Sequence, residues 1–214
     1  ILFQSTAKHA VNKKVDYSGI NFSKHLSVIN IFSNIAAQLD KILVFHYLGA
    51  AELAIYSFAV AIPKQIRAFL GNFGILAMPK YSEKKPHEVL ASISEKFFTS
   101  LYILIPIVGS YIIIAPYFFK IFFPQYMDSV FYTQVYALFI LLMGNLSDLG
   151  LTSQKAIKEK YFLNLFSSVS NIILMIILVQ PYKILGIILA ILISKTATSV
   201  LSYILLWKMA NKRY

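Results

Sequence analysis

The sequence predicts an all-α fold, a polytopic membrane bundle of six transmembrane helices. Three observations predict it. Six long apolar runs follow one another almost without pause, at 22–48, 51–78, 97–119, 130–149, 161–179 and 184–207. A helix rises about 1.5 Å per residue, so about 20 apolar residues cross the hydrocarbon core of a bilayer. The chain is 58% hydrophobic and 14% charged, with a mean hydropathy of +0.67; soluble domains carry about 25% charged residues. The third observation is where the charges fall.

The net charge is +11. Lys8, Lys13, Lys14 and Lys24 gather around the start of the first run, and Lys80, Lys84, Lys85 and Lys96 between the second and third. Lys155, Lys158 and Lys160 separate the fourth from the fifth, and Lys208, Lys212 and Arg213 follow the sixth. The alternate connections hold only Lys120 and Lys183. Cytoplasmic loops are enriched in Lys and Arg, so this alternation predicts both termini in the cytoplasm of a cell (cytoplasmic or inner) membrane. It also excludes nucleic acid as the partner, because the charge sits in loops that face anionic membrane lipids.

Element by element, local chemistry supports the boundaries. Residues 1–21 read as a basic cytoplasmic connecting segment without the layout of a signal peptide. The first residue is Ile, which is read as a start inside a longer protein. Gly49 closes the first helix as a left-handed cap. Pro79 is expected to stop the second, leaving 80–96 as the longest loop. Pro116 and Pro124 are expected to bracket an aromatic outer connection, and Gly150 and Ser153 to end the fourth helix. Gln180, Pro181 and Tyr182 form a tight turn, which makes the fifth and sixth helices antiparallel neighbours. Pro63 and Pro106 fall inside helices, where each removes a backbone donor and predicts a kink. The six-helix region covers 22–208, and 209–214 is a short cytoplasmic tail.

Charges inside the spans are the sharpest functional signal. Asp, Lys or Arg at a helix centre costs about 2.5–3.5 kcal/mol to insert, and Asp40, Lys41, Lys64, Arg67 and Lys195 all lie within the apolar runs. At about 100° per residue, Ser27, Asn30, Asn34, Gln38 and Lys41 share one stripe, with Asp40 beside it. Ser57, Lys64, Arg67 and Gly71 share another, as do Lys195, Thr198, Ser199 and Ser202. Three stripes, each with a cation, predict a water-filled cavity between helices. The candidate cavity residues are Lys41, Lys64, Arg67, Lys195, Asp40, Asn34 and Gln38. Alternatives stay open: Asp40 neutralising Lys41 or a cation of a neighbouring helix, Lys64 and Arg67 snorkelling, and Lys195 in a buried ion pair. The face of Asn164, Ser167, Ser168 and Asn171 is read as interhelical hydrogen bonding.

A cavity richer in cations than acids attracts an anion, with phosphate or diphosphate the natural match for Lys and Arg. A carrier of organic cations would need the opposite balance. No catalytic constellation is present: no paired acids in the outer connections, no glycine-rich phosphate loop and no Ser/His/Asp grouping. His9, His25, His46 and His87 show no ligand spacing and there is no Cys, so neither a metal nor a cofactor is expected.

The stretch Asp40-Lys41-Ile42-Leu43-Val44-Phe45-His46-Tyr47-Leu48-Gly49, followed by Glu52-Leu53-Ala54-Ile55-Tyr56-Ser57-Phe58-Ala59, resembles bacterial polysaccharide biosynthesis flippases. These are the O-antigen (Wzx-like) members of the multidrug/oligosaccharidyl-lipid/polysaccharide exporter superfamily. Ile121-Phe122-Phe123-Pro124-Gln125-Tyr126 is similar to an outer-loop element of that family, with Pro124 where the family usually has Gly. The resemblance runs from about residue 23 to 207. It implies the second lobe of a two-lobe transporter, with the missing N-terminal lobe in the same protein and a polyprenyl-diphosphate-linked oligosaccharide as the transported partner. The other readings are a multidrug/cation antiporter of the same superfamily and, from a different class, a membrane enzyme of cell-envelope assembly. The latter would need a large outer catalytic loop.

Overall fold

The computed structural model describes residues 38–76, 81–144, 146–154 and 156–212. The expected segment 1–21, the start of the first helix with Asn34, and Pro79 lie outside them. Helix α1 occupies 38–48. Gly49, at φ +92°, separates it from α2, Ala50–Leu76. Only glycine takes that conformation without strain. Its amide donates to Phe45 O at 3.0 Å while its carbonyl accepts from Leu53 N at 3.1 Å, so the reversal leaves few backbone groups unanswered.

Helix α2 runs unbroken through Pro63, and α3, Pro86–Phe122, runs through both Pro106 and Pro116. This corrects two expectations. The polar stretch before the third apolar run is largely helix, not loop, and Pro116 lies inside a helix that continues to Phe122. Pro86 sits in the first turn, where its missing N–H costs nothing, and the Glu88 carboxylate accepts from the Lys85 amide at 3.2 Å. Polarity alone hid this start. At 37 residues α3 is about 55 Å long, well beyond the ~30 Å of a hydrocarbon core.

A 3-10 turn, Pro124–Tyr126, leads into α4, Ser129–Ala137. Tyr126 stacks on Phe58 of α2 with ring centroids 3.7 Å apart, and the Ser129 hydroxyl donates to Ile55 O at 2.9 Å. Tyr111 and Thr133 share a 2.6 Å hydroxyl contact, and Gln134 Nε2 donates to Ile112 O at 2.9 Å, tying α4 to α3. The expected fourth span is not one helix. After α4 the backbone tightens to a 3-10 segment, Leu138–Gly144, and α5, Ser147–Ser153, sets off at 44° to the Ser129–Leu142 stretch. Gln154 then donates to the carbonyls of Tyr81 and Lys84, at 3.1 and 2.9 Å, which pins the connection between α2 and α3.

The last element, α6, covers Ile157–Lys212 and is broken at Lys183, whose φ of 49° and ψ of −130° are not helical. Ser170 and Ser194 hydroxyls lie 2.9 Å apart, although 24 residues of straight helix would separate them by about 36 Å. The element is therefore a hairpin with arms α6a (157–182) and α6b (184–212). The turn falls one residue past the Gln180, Pro181 and Tyr182 signal. The residues expected to form the tail continue α6b to Lys212.

The largest buried cluster joins all but α3 and α5: Val44 from α1, Tyr56 and Val60 from α2, Tyr136 from α4, and Met175 and Ile187 from the two arms. Outward faces are apolar instead of polar. Phe98, Tyr102 and Ile113 of α3 are 75%, 82% and 68% exposed, which suits lipid and not water. By length and composition three helices can cross a membrane, α2, α3 and α6, or four if α4 and α5 form one broken span.

The hairpin turn yields a test. A β-carbon at Gly186 would fall on the Leu178 carbonyl across the turn, whereas one at Gly109 meets nothing within 4 Å. Gly186→Ala is expected to lower the thermal midpoint of the detergent-purified protein by several degrees, and Gly109→Ala to leave it unchanged. Equal midpoints would remove the hairpin packing described here.

Candidate functional site

The reversal at Gly49 lays α1 beside α2 and brings three sequence-distant polar groups together. Asp40 is 3% exposed. Its Oδ2 accepts from the Tyr56 hydroxyl at 2.6 Å and from Lys64 Nζ at 3.4 Å, and its Oδ1 accepts from the Lys41 amide at 2.8 Å. A buried carboxylate without partners is prohibitively costly; here both oxygens are occupied. The two partners are unequal. Tyr56 is fully buried and close, while the Lys64 side chain is 40% exposed and holds the carboxylate loosely.

Lys41 follows Asp40 and is turned about 100° from it. Its side chain is exposed, as is that of Gln38. The structure does not bring either to the carboxylate, so Asp40 neutralises Lys64 of the neighbouring helix and not Lys41. The stripe drawn from helical spacing had taken Lys41 as central and Asp40 as peripheral; packing against α2 selects Asp40.

One turn beyond Lys64, the Arg67 guanidinium lies over the Phe139 ring, 3.8 Å from its centroid. Phe139 is 4% exposed and belongs to the 3-10 segment after α4. A cation over an aromatic face gains about 0.5–2 kcal/mol and needs no carboxylate. The Tyr136 hydroxyl, on the same segment's approach, feels both the Arg67 and the Asp40 charges. Neither Phe139 nor Tyr136 was legible as a site residue, since an aromatic in an apolar run carries no positional signal.

Lys195 of α6b donates to the Ser167 hydroxyl of α6a at 2.9 Å. Ser194 donates to Ser167 O at 3.1 Å, so Ser167 plays the interhelical role read for the face of Asn164, Ser167, Ser168 and Asn171, whereas the Asn171 Oδ1 is buried without a hydrogen-bond partner among the described residues. Thr198 donates to Ser194 O and Ser202 to Ser199 O within α6b, so part of that stripe is satisfied by its own helix. The like charge of Arg67 acts on Lys195. Asp148 also acts on Lys195, but its carboxylate is paired at 2.6 Å with Lys160. Among the described residues, neither Arg67 nor Lys195 has a carboxylate within ion-pair distance.

The structure thus joins Asp40 and Lys64, sets Arg67 one turn further along α2 over Phe139, and holds Lys195 on Ser167 within the hairpin, with Arg67 and Lys195 lacking a carboxylate at ion-pair distance among the described residues. A groove of about 750 Å³ lies elsewhere, on the outer face of the hairpin between Phe162, Phe166, Ile193, Thr196 and Val200, and it is apolar. No group of three His, Asp or Glu among the described residues is placed to hold a metal ion. Compared with known proteins, the chain matches no protein-family model, no curated protein and no solved structure.

Tyr56→Phe removes the closest donor to Asp40 and leaves a buried acceptor short of a partner. It is expected to destabilise the protein by about 1–3 kcal/mol, read as a lower midpoint in detergent. Tyr126→Phe, which leaves the stacking on Phe58 intact, is the matched control and should be silent.

Proposed function

We propose that this chain is the second lobe of a Wzx-like flippase that moves a polyprenyl-diphosphate-linked oligosaccharide across the cytoplasmic membrane. In this reading six spans cross the bilayer with both termini cytoplasmic. The first is α1 with the residues before it, the second and third are α2 and α3, the bent pair α4 and α5 is the fourth, and the hairpin arms are the fifth and sixth.

The observation that carries the reading is the pairing pattern of the embedded charges. The deep carboxylate, Asp40, is already engaged by Tyr56 and Lys64. Among the described residues neither Arg67 nor Lys195 has a carboxylate within ion-pair distance, and the Arg67 charge acts on Lys195. Two cations held together in an apolar setting repel unless an anion joins them. A diphosphate diester carries two negative charges and acceptor oxygens enough for a guanidinium fork and an ammonium. The sugar would ride in water between the lobes and the polyprenyl chain in lipid, with rocking of the lobes exchanging the site between faces. An organic cation finds no free acid here, which disfavours the antiporter reading.

Two experiments test this. In the intact transporter, Arg67→Gln with Lys195→Gln should cut surface polysaccharide at least tenfold while the protein reaches the membrane in undiminished amount, because losing an embedded cation eases insertion. Normal polysaccharide at equal protein level would defeat the anion role. The chain has no native Cys, so single cysteines report topology cleanly. Those at 125 and 182 should react with an impermeant external thiol reagent and those at 85 and 157 should not; labelling at 85 from outside would overturn the orientation.

A further inference from the structure

We propose that the outer face of the hairpin binds one anionic phospholipid, with an acyl chain in the apolar groove and the phosphate between Lys158 and Lys208. The inference goes beyond the diphosphate reading and does not depend on it, because the groove shares no residue with the embedded charges.

Both arms build the groove. Phe162 and Phe166 are one turn apart on α6a, and their rings lie nearly parallel with centroids 6.5 Å apart, which makes one continuous wall. Ile193, Val200 and Ile204 of α6b line the other side, and all five side chains are exposed. Ala197, between Ile193 and Val200 in the chain, is too small to fill the space. Thr196 is the one polar residue of the lining, and its hydroxyl donates to Leu192 O of its own helix at 2.7 Å. It therefore asks nothing of the occupant.

Length and shape select a hydrocarbon chain. The lining runs along α6b from Leu192 to Ile204, about 18 Å, close to one leaflet's share of the ~30 Å hydrocarbon core. A second helix fits poorly. Membrane helices approach one another through small residues, typically four apart, whereas here Thr196 and Ala197 are adjacent and the lips are Phe, Ile and Val. A single file of methylenes enters where a helix backbone cannot.

Charge selects the headgroup. Lys158 lies one turn before Phe162 and Lys208 one turn after Ile204, so each continues the groove face. The arms are antiparallel, so both lysines stand at the end away from the turn at Lys183. The Ser194–Ser167 hydrogen bond sets the register. Lys158 is nine residues from Ser167 and Lys208 fourteen from Ser194, which leaves them level to within about 8 Å. Both side chains are exposed, and neither is in an ion pair among the described residues. Of the acids close in sequence, Asp148 is taken by Lys160 at 2.6 Å, and Glu159 is turned about 100° from Lys158. Tyr161 and Trp207, exposed beside the two lysines, suit headgroup depth, where amphipathic rings collect. An anionic phosphodiester answers both ammonium groups; a zwitterionic headgroup brings its own cation.

Each lysine is expected to favour an anionic headgroup about fivefold. Trp207 is the single tryptophan of the chain, so its fluorescence reports the mouth of the groove. The test reconstitutes the chain in phosphatidylcholine bilayers with small fractions of acyl-brominated phosphatidylglycerol or acyl-brominated phosphatidylcholine, whose bromines quench nearby tryptophan. Brominated phosphatidylglycerol should reach half-maximal quenching at a mole fraction at least tenfold lower. Lys158→Gln with Lys208→Gln should bring the two curves together. Lys84→Gln with Lys85→Gln, an equal loss of charge off the hairpin, should leave them apart. Ala197→Phe fills the groove and should remove the preference with both lysines in place; should it fail to fold, the exposed lysine pair decides. Coincident curves for the unmodified chain would overturn the proposal, as would a preference that survives in the Lys158/Lys208 pair or in folded Ala197→Phe. Equal loss in the Lys84/Lys85 pair would mean diffuse surface charge and no site. Quenching by neither lipid would mean that protein covers the groove, and would overturn it too.

Discussion

A carboxylate carried into an apolar interior has to be met from within, and much of this helical bundle is arranged around that requirement. Asp40 cannot reach water, and its two oxygens are filled by a neighbouring backbone amide, a buried phenol and a loosely held ammonium. Two of those three donors come from α2. The contact therefore fixes how α1 packs on α2, which in turn demands the tight reversal that Gly49 supplies. Losing one partner of a buried, charged hydrogen-bond set leaves the other exposed to the full cost of desolvation. Such a set specifies one pairing of helices far more sharply than apolar contact does.

The same logic recurs wherever two elements meet. Apolar side chains cannot select a partner when lipid is as apolar as the protein, so register falls to small polar groups. Ser129 reaches Ile55 O, Gln134 reaches Ile112 O, Gln154 reaches two carbonyls at the other end, and the hairpin closes through Ser167, Ser170 and Ser194. Each is a neutral bond between groups that would otherwise lack water. Between them the surface is left to Phe, Ile and Leu, which face outward in numbers no soluble protein of this size tolerates.

Much of this was legible in the sequence. The all-α class follows from apolar runs too long and too lightly charged for soluble helices, and the two reversals follow from Gly49 and from the Gln180, Pro181 and Tyr182 turn. Other features were hidden for identifiable reasons. Hydropathy marks the apolar middle of a helix but not its polar overhang, so the first eleven residues of α3 read as loop although Pro86 and Glu88 are a helix start. Proline signals a stop only where the chain lacks other support, and Pro116 sits in a helix held on both sides. At the site, spacing placed Lys64 and Arg67 on one face of α2, and that face does meet Asp40 and Phe139. It could not choose between the adjacent Asp40 and Lys41, because a single residue step of about 100° is within the uncertainty of where a stripe is centred. Nor could it see that Phe139 would lie under Arg67, since that contact depends on how α4 ends.

That ending links the fold to the chemistry. The fourth helix tightens to 3-10 geometry at Leu138–Gly144 and resumes, bent by 44°, as α5. Phe139 stands at the start of the 3-10 stretch and Asp148 at the start of the helix that follows it. The one supports Arg67 and the other acts on Lys195. A straight α-helix advances about 1.5 Å per residue and a 3-10 segment about 2.0 Å, so any change in how much of this stretch is 3-10 slides Phe139 and Asp148 relative to each other along the bundle. The two cations without ion-pair partners are thus referenced to opposite sides of the least regular span. The Asp40 set, by contrast, is built on two regular helices. Through Phe139, the position of Arg67 is tied to the place where α4 gives way to the 3-10 segment and the bend before α5.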